Sequence, residues 1–320
     1  MLAVDTKANG KLEDFRAGIT AIDCDYMRPR LAASHLVVDG GRAAFVDTGT
    51  TRSVPNLLHA LRVKGIDPGN VDWVLTTHVH LDHAGGAGAL MQVLPNARCA
   101  IHPRGARHLV EPAKLIAGSI AVYGEERYRA LYGEIVPIGE SRVFIVDDGA
   151  RIRLGSRELE LIHTPGHALH HYCIVDAAHE LIFSGDTFGL SYRDLDVDGR
   201  AFIFPTTTPV HFDPDALCRS VDRLMAYRPR SIFLTHYAEV TELERLAREL
   251  KERIAAFVDL GLRYRDAHDR ADKLRHGMFA MMSSWLDAHG FPRDDARRHG
   301  LLDDDVELNC QGIEIWLDRK

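Results

Sequence analysis

Residues 77–86 read Thr77-His78-Val79-His80-Leu81-Asp82-His83-Ala84-Gly85-Gly86. Four metal-ligating side chains fall within six positions, directly behind Val71-Asp-Trp-Val-Leu75, whose length and apolar content predict a short buried strand. Neutral imidazole suits zinc and similar cations, and a carboxylate adds charge and a general-base option. Side chains at i and i+2 of an extended segment point the same way, so His78 and His80 can face one pocket. Asp82 and His83 turn with the chain as it enters the Gly85-Gly86 bend. One cation rarely needs all four groups, which points to two adjacent ones.

Three later stretches repeat the arrangement. Leu161-Ile-His163-Thr-Pro-Gly-His167 is a strand pattern followed by a tight Pro-Gly turn that ends on a histidine. Ile182-Phe-Ser-Gly-Asp186 places a carboxylate at a strand end, and Phe233-Leu-Thr-His236 does the same with a histidine. Four strand-like segments that each end in ligand-type residues are what a site at converging strand ends requires.

Around these stretches the pattern is that of an α/β core. Strand signals lie at 15–24, 33–39 and 42–47, the last two flanking the two-residue hairpin signal Gly40-Gly41. A helix is expected over 53–64 with Gly65 as its C-terminal stop, another over 84–94, and irregular helix over 103–133. Strands return at 97–102, 143–146, 150–154, 158–163, 172–175 and 180–184. A loop follows over 186–211, then a helix after Asp213-Pro214 and a strand at 231–235. Everything after 239 reads as helix. The expected organisation is therefore a catalytic domain over 1–238 and a C-terminal helical extension over 239–320 packed on it. The extension carries Phe257, Leu260, Met278, Met282 and Trp285, more apolar surface than free-standing helices leave in water.

Composition excludes several classes. Lys and Arg number 39 against 46 Asp and Glu, a net charge of −7, so no basic footprint for nucleic acid or an anionic membrane surface exists. No apolar run approaches the ~20 residues of a membrane span. The five cysteines, Cys24, Cys99, Cys173, Cys218 and Cys310, are scattered and form no CxxC pair, which argues against a disulfide framework or a zinc ribbon. Residues 1–15 carry Asp5, Lys7, Lys11, Glu13 and Asp14 and lack the apolar stretch of a signal peptide, so the expected compartment is the cytoplasm. The 18 histidines are a high count, consistent with metal or proton chemistry.

The stretches THVHLDHAGG (77–86), HTPGH (163–167), SGDTF (184–188) and LTHY (234–237), with Asp47-Thr48-Gly49, together resemble the metallo-β-lactamase superfamily over about residues 16–240. The resemblance implies an αββα sandwich with a dinuclear metal site at one edge of its two sheets. Carried over by position, His78, His80 and His167 would bind one metal, Asp82, His83 and His236 the second, and Asp186 would bridge both. His163 is not a ligand in that pattern, and Asp47 is expected to hydrogen-bond the ligand-bearing loops. The expected cofactors are two divalent ions, zinc first, with manganese or iron as alternatives. The expected activity is hydrolysis of an ester, thioester or lactone of small-molecule size. The stretch after the Pro-Gly turn loosely resembles hydroxyacylglutathione hydrolases, although Ala168 stands where that branch has threonine. His80 stands where the redox flavodiiron branch has glutamate, which favours hydrolysis. Phosphotriester or phosphodiester hydrolysis, a mononuclear iron persulfide dioxygenase and a non-catalytic metal-binding relative are the competing readings. Catalytic roles are expected of Asp82, as a base, and of Tyr192, whose phenol could reach substrate from the loop after Asp186. The 202–211 loop and the Arg263-Tyr264-Arg265 stretch are further candidate substrate contacts. The oligomeric state stays open, a homodimer through the helical extension being one option.

Overall fold

Two sheets carry the ligand stretches. The first has strands β1 (Leu12–Phe15), β2 (Ile19–Asp23), β3 (Ala33–Asp39), β4 (Arg42–Val46), β5 (Val71–Leu75), β6 (Arg98–Ile101) and β7 (Val143–Ile145), paired in chain order. Pairing is antiparallel from β1 to β4, where the connections are short, and parallel from β4 to β7. Parallel neighbours need a crossover. These are supplied by helix α1 (Val54–Lys64), by α2 (Leu81–Ala84) with α3 (Ala87–Val93), and by α4 (Pro103–Val110), α5 (Ala113–Tyr123) and α6 (Glu125–Tyr132). The second sheet holds β8 (Ala150–Leu154), β9 (Arg157–His163), β10 (Tyr172–Asp176), β11 (Leu181–Gly185), β12 (Ser231–Leu234) and β13 (Ala238–Val240), in the order β13-β12-β11-β10-β9-β8. This is the αββα architecture expected from the sequence, and C-terminal helices follow it. The computed structural model describes residues 11–319 other than 208 and 210, so Asp5, Lys7 and two positions of the 202–211 loop lie outside it.

The expected strand over 15–24 is two strands, because Ala17 and Gly18 both take positive φ and break the run. The expected helix over 84–94 is likewise split at Gly85-Gly86 into α2 and α3. The short β13 was missed; three residues are too few to show a period.

The chain divides into two compact units, one running to His163 with His170–Gly185 and Ile232–Glu239, the other comprising Thr164–Leu169, Asp186–Ser231 and Val240–Lys320. In the first, Val46, Leu75, Ala100, Ile152, Leu161, Ile174 and Phe233 close a core between the two sheets. On the far side of the first sheet, Phe45, Val74 and Cys99 pack on Leu57 and Leu61 of α1 and on Leu90 of α3. Burial of these aliphatic faces is the main stabilising term.

The second unit contains α7 (Pro214–Ala226), α8 (Leu243–Arg263), α9 (Arg270–His289) and α10 (Asp295–Asp318). Asp213 caps α7 by accepting the Ala216 N–H, with Pro214 at the first turn. Phe257 of α8, Leu274, Met278, Met282 and Leu286 of α9, and Leu302 and Ile313 of α10 are buried. The 186–207 segment is held in this unit by polar contacts: Arg245 donates to the Ala201 carbonyl, Arg253 to that of Ile203, and His289 to that of Arg200. Among the described residues no helix is long and apolar enough to cross a membrane.

His35, in the centre of β3, is buried against Phe183 and Phe233, and neither ring nitrogen has a hydrogen-bond partner among the described residues. Burial pulls its pKa down to about 4, against a small opposing pull from Asp47. The unfolded chain therefore takes up a proton near pH 6.5 that the folded chain refuses, and stability drains as pH falls from 6.5 toward 4. Urea melts of metal-free protein should show a loss on the order of 3 kcal/mol from this group across that window. A His35→Leu variant should lose correspondingly less over the same window, and equal acid sensitivity in the two proteins would contradict this account.

Candidate metal centre

Asp47 is the residue around which the ligand loops assemble. It follows β4 with a φ of 56° and is fully buried. A buried carboxylate must be satisfied by donors, and Asp47 is satisfied from three directions. The Thr77 N–H donates to Oδ1 at 2.8 Å, and the Thr77 hydroxyl lies 2.9 Å from Oδ2. The Thr235 hydroxyl donates to Oδ2 at 2.7 Å, and His83 Nδ1 donates to the same oxygen at 2.9 Å. The ends of β4, β5 and β12 and the turn α2 thus meet on one side chain, as expected of Asp47.

These bonds decide which face of each imidazole stays open. His83 Nδ1–H is committed to Asp47, so its Nε2 keeps a lone pair. His236 Nδ1 lies 2.7 Å from the Leu31 carbonyl oxygen, which only accepts, so Nε2 of His236 keeps its lone pair as well. The two Nε2 atoms stand 3.3 Å apart, and Asp82 Oδ2 is 3.6 Å from one and 3.4 Å from the other. Three electron-rich atoms so placed repel one another unless a cation or a proton stands among them. Tetrahedral coordination at zinc distances separates ligand atoms by roughly 3.3 Å. The donor set and its spacing fit a divalent cation, and Asp82, His83 and His236 form a metal-capable group on geometry alone.

His78 and His80 sit beside it. Thr77 Oγ1 is 3.1 Å from His78 Nδ1, and His78 Nε2 faces His80 Nδ1 at 2.8 Å. The His78 ring packs on His83 with centroids 4.0 Å apart, and the buried His171 ring stacks on it at 4.9 Å. Gly185 permits this packing: a Cβ there would come within 2.6 Å of His171 Nε2 and Thr77 Oγ1. His170 accepts the Val79 N–H at 3.4 Å. Sequence reasoning passed over Thr77, Thr235 and His171. Their signal was visible in the repeated Thr-His pairs 77–78 and 235–236 and in the His170-His171 doublet.

In the second unit, His167 and Asp186 face each other, Nε2 to Oδ2 at 3.5 Å, and His167 Nδ1 meets the Thr206 carbonyl at 3.2 Å. Gly166 seats this turn, since a Cβ on it would collide with Leu217 of α7 at 2.3 Å. Asp186 itself follows directly on β11. Tyr192 is buried against Phe204, and its hydroxyl donates to Asp305 Oδ1 of α10 at 3.0 Å. His163 Nε2 donates to the Val146 carbonyl at 2.7 Å, and its ring lies 4.1 Å from that of His102. None of the five cysteines is in a disulfide, and burial raises the thiol pKa of Cys99 and Cys310 to about 12, so neither serves as a thiolate.

A family model described as the metallo-beta-lactamase superfamily matches residues 27–236. The chain belongs to that superfamily. A Sulfurisphaera tokodaii protein named metallo-beta-lactamase fold-containing protein ST1585 is 25% identical over 241 residues, 73% of this chain and 84% of its own length. The ST1585 crystal structure is similar with a TM-score of 0.61, covering 73% of this chain and 85% of that one. A Gallus gallus protein named acyl-coenzyme A thioesterase MBLAC2 is 30% identical over 47% of this chain. An Aeromonas hydrophila hydroxyacylglutathione hydrolase is 30% identical over 44% of it. The matches cover 55% and 41% of these two relatives, about half their length.

Substituting Asp47→Asn puts an amide where His83 or Thr235 must donate. His83 then loses its fixed tautomer. Chelator-competition titration should show zinc affinity lowered on the order of 10–100-fold, with the far-ultraviolet spectrum retained. Wild-type affinity would mean that the carboxylate does not orient His83.

Proposed function

We propose that the protein is a metal-dependent hydrolase with two divalent ions, zinc first, acting on a small ester, thioester or lactone. Under this reading His78, His80 and His167 hold one ion, Asp82, His83 and His236 the other, and Asp186 lies between them. The observation that carries it is the Asp82–His83–His236 group, whose outer nitrogens are already committed to Asp47 and to the Leu31 carbonyl. Support for the full set comes from the chain itself. Each ligand stretch leaves the end of a strand, β5, β9, β11 or β12, that lies in one of two packed sheets.

Two zinc ions held there would lower the pKa of a shared water to near neutrality and polarise the scissile carbonyl. This chain's residues supply the rest. The Nδ1 protons of His83 and His236 go to Asp47 and the Leu31 carbonyl and that of His167 to the Thr206 carbonyl, which fixes these three rings, while His78 Nδ1 lies 3.1 Å from the Thr77 hydroxyl. Asp82 is the half-exposed member of its group, and it can hold the proton that leaves the attacking water and return it to the leaving group. Tyr192 gives its hydroxyl proton to Asp305, so we read it as an anchor for the loop after Asp186 rather than as the proton donor to substrate. Among candidate substrates a thioester is favoured, since relatives are named as an acyl-coenzyme A thioesterase and a hydroxyacylglutathione hydrolase.

The test is a panel of thioesters, lactones and phosphotriesters assayed with metal-free protein reloaded with defined ions. Thioester hydrolysis should vanish with chelation and return with about two zinc equivalents. Asp186→Asn should bind less metal and turn over at least a hundredfold more slowly, a loss of about 3 kcal/mol in barrier lowering. A single iron per chain with dioxygen uptake would replace this reading, and turnover on phosphotriesters alone would change the substrate class.

A further inference from the structure

The hydrogen bonds behind His167 lead to the last helix. The Thr206 carbonyl has no proton to give, so at 3.2 Å it requires His167 Nδ1 to be the protonated ring nitrogen. Nε2 then keeps the lone pair, and it is the atom that faces Asp186. What aims the Thr206 carbonyl is the next residue. The Thr207 N–H donates to Asn309 Oδ1 at 2.6 Å, and the Thr207 hydroxyl lies 3.0 Å from the same oxygen and 2.9 Å from the Asn309 backbone carbonyl. Thr206, Thr207 and Asn309 are all buried.

The geometry of the peptide unit makes this a linkage. The Thr206 C=O and the Thr207 N–H belong to one rigid, planar group and point in opposite directions in its trans form. Holding the N–H on Asn309 therefore fixes the line along which the carbonyl meets His167. Asn309 is itself placed by the packing of α10, where Val306, Cys310 and Ile313 are buried around it. One turn earlier on α10, Asp305 takes the Tyr192 hydroxyl, so a single helix face grips the 186–207 segment at two points.

We propose that Asn309 is a positioning residue for His167: through the Thr206–Thr207 peptide it fixes the ring's tautomer and direction and leaves Nε2 open for metal. The proposal rests on the reading of His167 as a ligand. It gives the C-terminal helix a share in building the metal site, a role that neither the ligand motifs nor the early strands disclose.

The test uses the full-length protein and two readouts. In metal-free protein, long-range proton–nitrogen spectra of the imidazoles, assigned with His167→Gln, report the tautomer of His167. Chelator competition reports zinc affinity. Wild type should show one Nδ1–H tautomer for His167. In Asn309→Ala that tautomer should mix with the other form, and affinity for one of two zinc equivalents should fall on the order of 10–100-fold. Asn309→Asp, which keeps an oxygen facing Thr207, should restore both. Asp305→Asn loosens the same helix face without touching the 206–207 peptide, and should leave the His167 signals in place. If Asn309→Ala does not fold, Asn309→Ser, which keeps a polar side chain too short to reach the Thr207 N–H, should shift the tautomer in the same direction. Wild-type signals and affinity in Asn309→Ala, or in Asn309→Ser where that variant replaces it, would overturn the proposal, as would an equal tautomer change in Asp305→Asn. A lost tautomer with zinc affinity untouched would uphold the linkage and remove His167 from the ligand set.

Discussion

The Asp47 carboxylate takes hydrogen bonds from Thr77, Thr235 and His83 at a point sealed from water. A charge so buried is tolerated only while every donor stays in place. That requirement works in both directions. The donors hold Asp47, and Asp47 holds the strand ends that bear them, so loops far apart in sequence share one geometry. His83 is the member on which the chemistry depends, because the same bond that satisfies the carboxylate selects the tautomer that exposes Nε2. Asp47 adopts a left-handed backbone conformation to reach this position, a local cost that the hydrogen bonds of the buried network offset.

The ligand stretches were legible because metal chemistry demands rare residues at short spacing, and chance seldom assembles HxHxDH behind an apolar run. The strands were legible because the two sheets bury short, largely apolar segments such as 33–37 and 172–175. What could not be read has a common cause. His171 stacking on His78, the Leu31 carbonyl beneath His236, and Asn309 behind Thr207 are contacts across 93, 205 and 102 positions. None has a periodic signature, and two of them use a main-chain atom of a kind found all along the chain. Thr77 and Thr235 fall between the two cases: each precedes a histidine, yet only the fold shows that both hydroxyls seek the same carboxylate. The breaks at Ala17-Gly18 and Gly85-Gly86 belong here too. Glycine marks a place where a turn is permitted, while tertiary contacts decide whether the chain takes it.

The histidines divide by what their outer nitrogen meets. His83 gives its proton to a carboxylate, His236 and His167 give theirs to main-chain carbonyls, and His163 gives its Nε2 proton to Val146. A carboxylate partner raises the basicity of the far nitrogen more than a carbonyl does. Within its group His83 is the imidazole backed by a carboxylate, and it stands between Asp82 and Asp47. His163, four positions from His167 in the same motif, commits its Nε2 proton to a main-chain carbonyl. Position in a motif gives proximity; the hydrogen bond on the far side of the ring decides function.

Asp82, His83 and His236 point three lone-pair atoms into a space about as wide as one cation's coordination shell. Water cannot satisfy all three at these separations, and a proton can serve only two. A cation bound by this group would displace whatever protons the group has gathered. The second unit repeats the design with His167 and Asp186. Under the proposed reading, rigidity on the outer side of each ring favours metal over protons. A ring free to turn would relieve the repulsion by presenting N–H to its neighbour, and the hydrogen bonds to Asp47, Leu31 and Thr206 remove that escape.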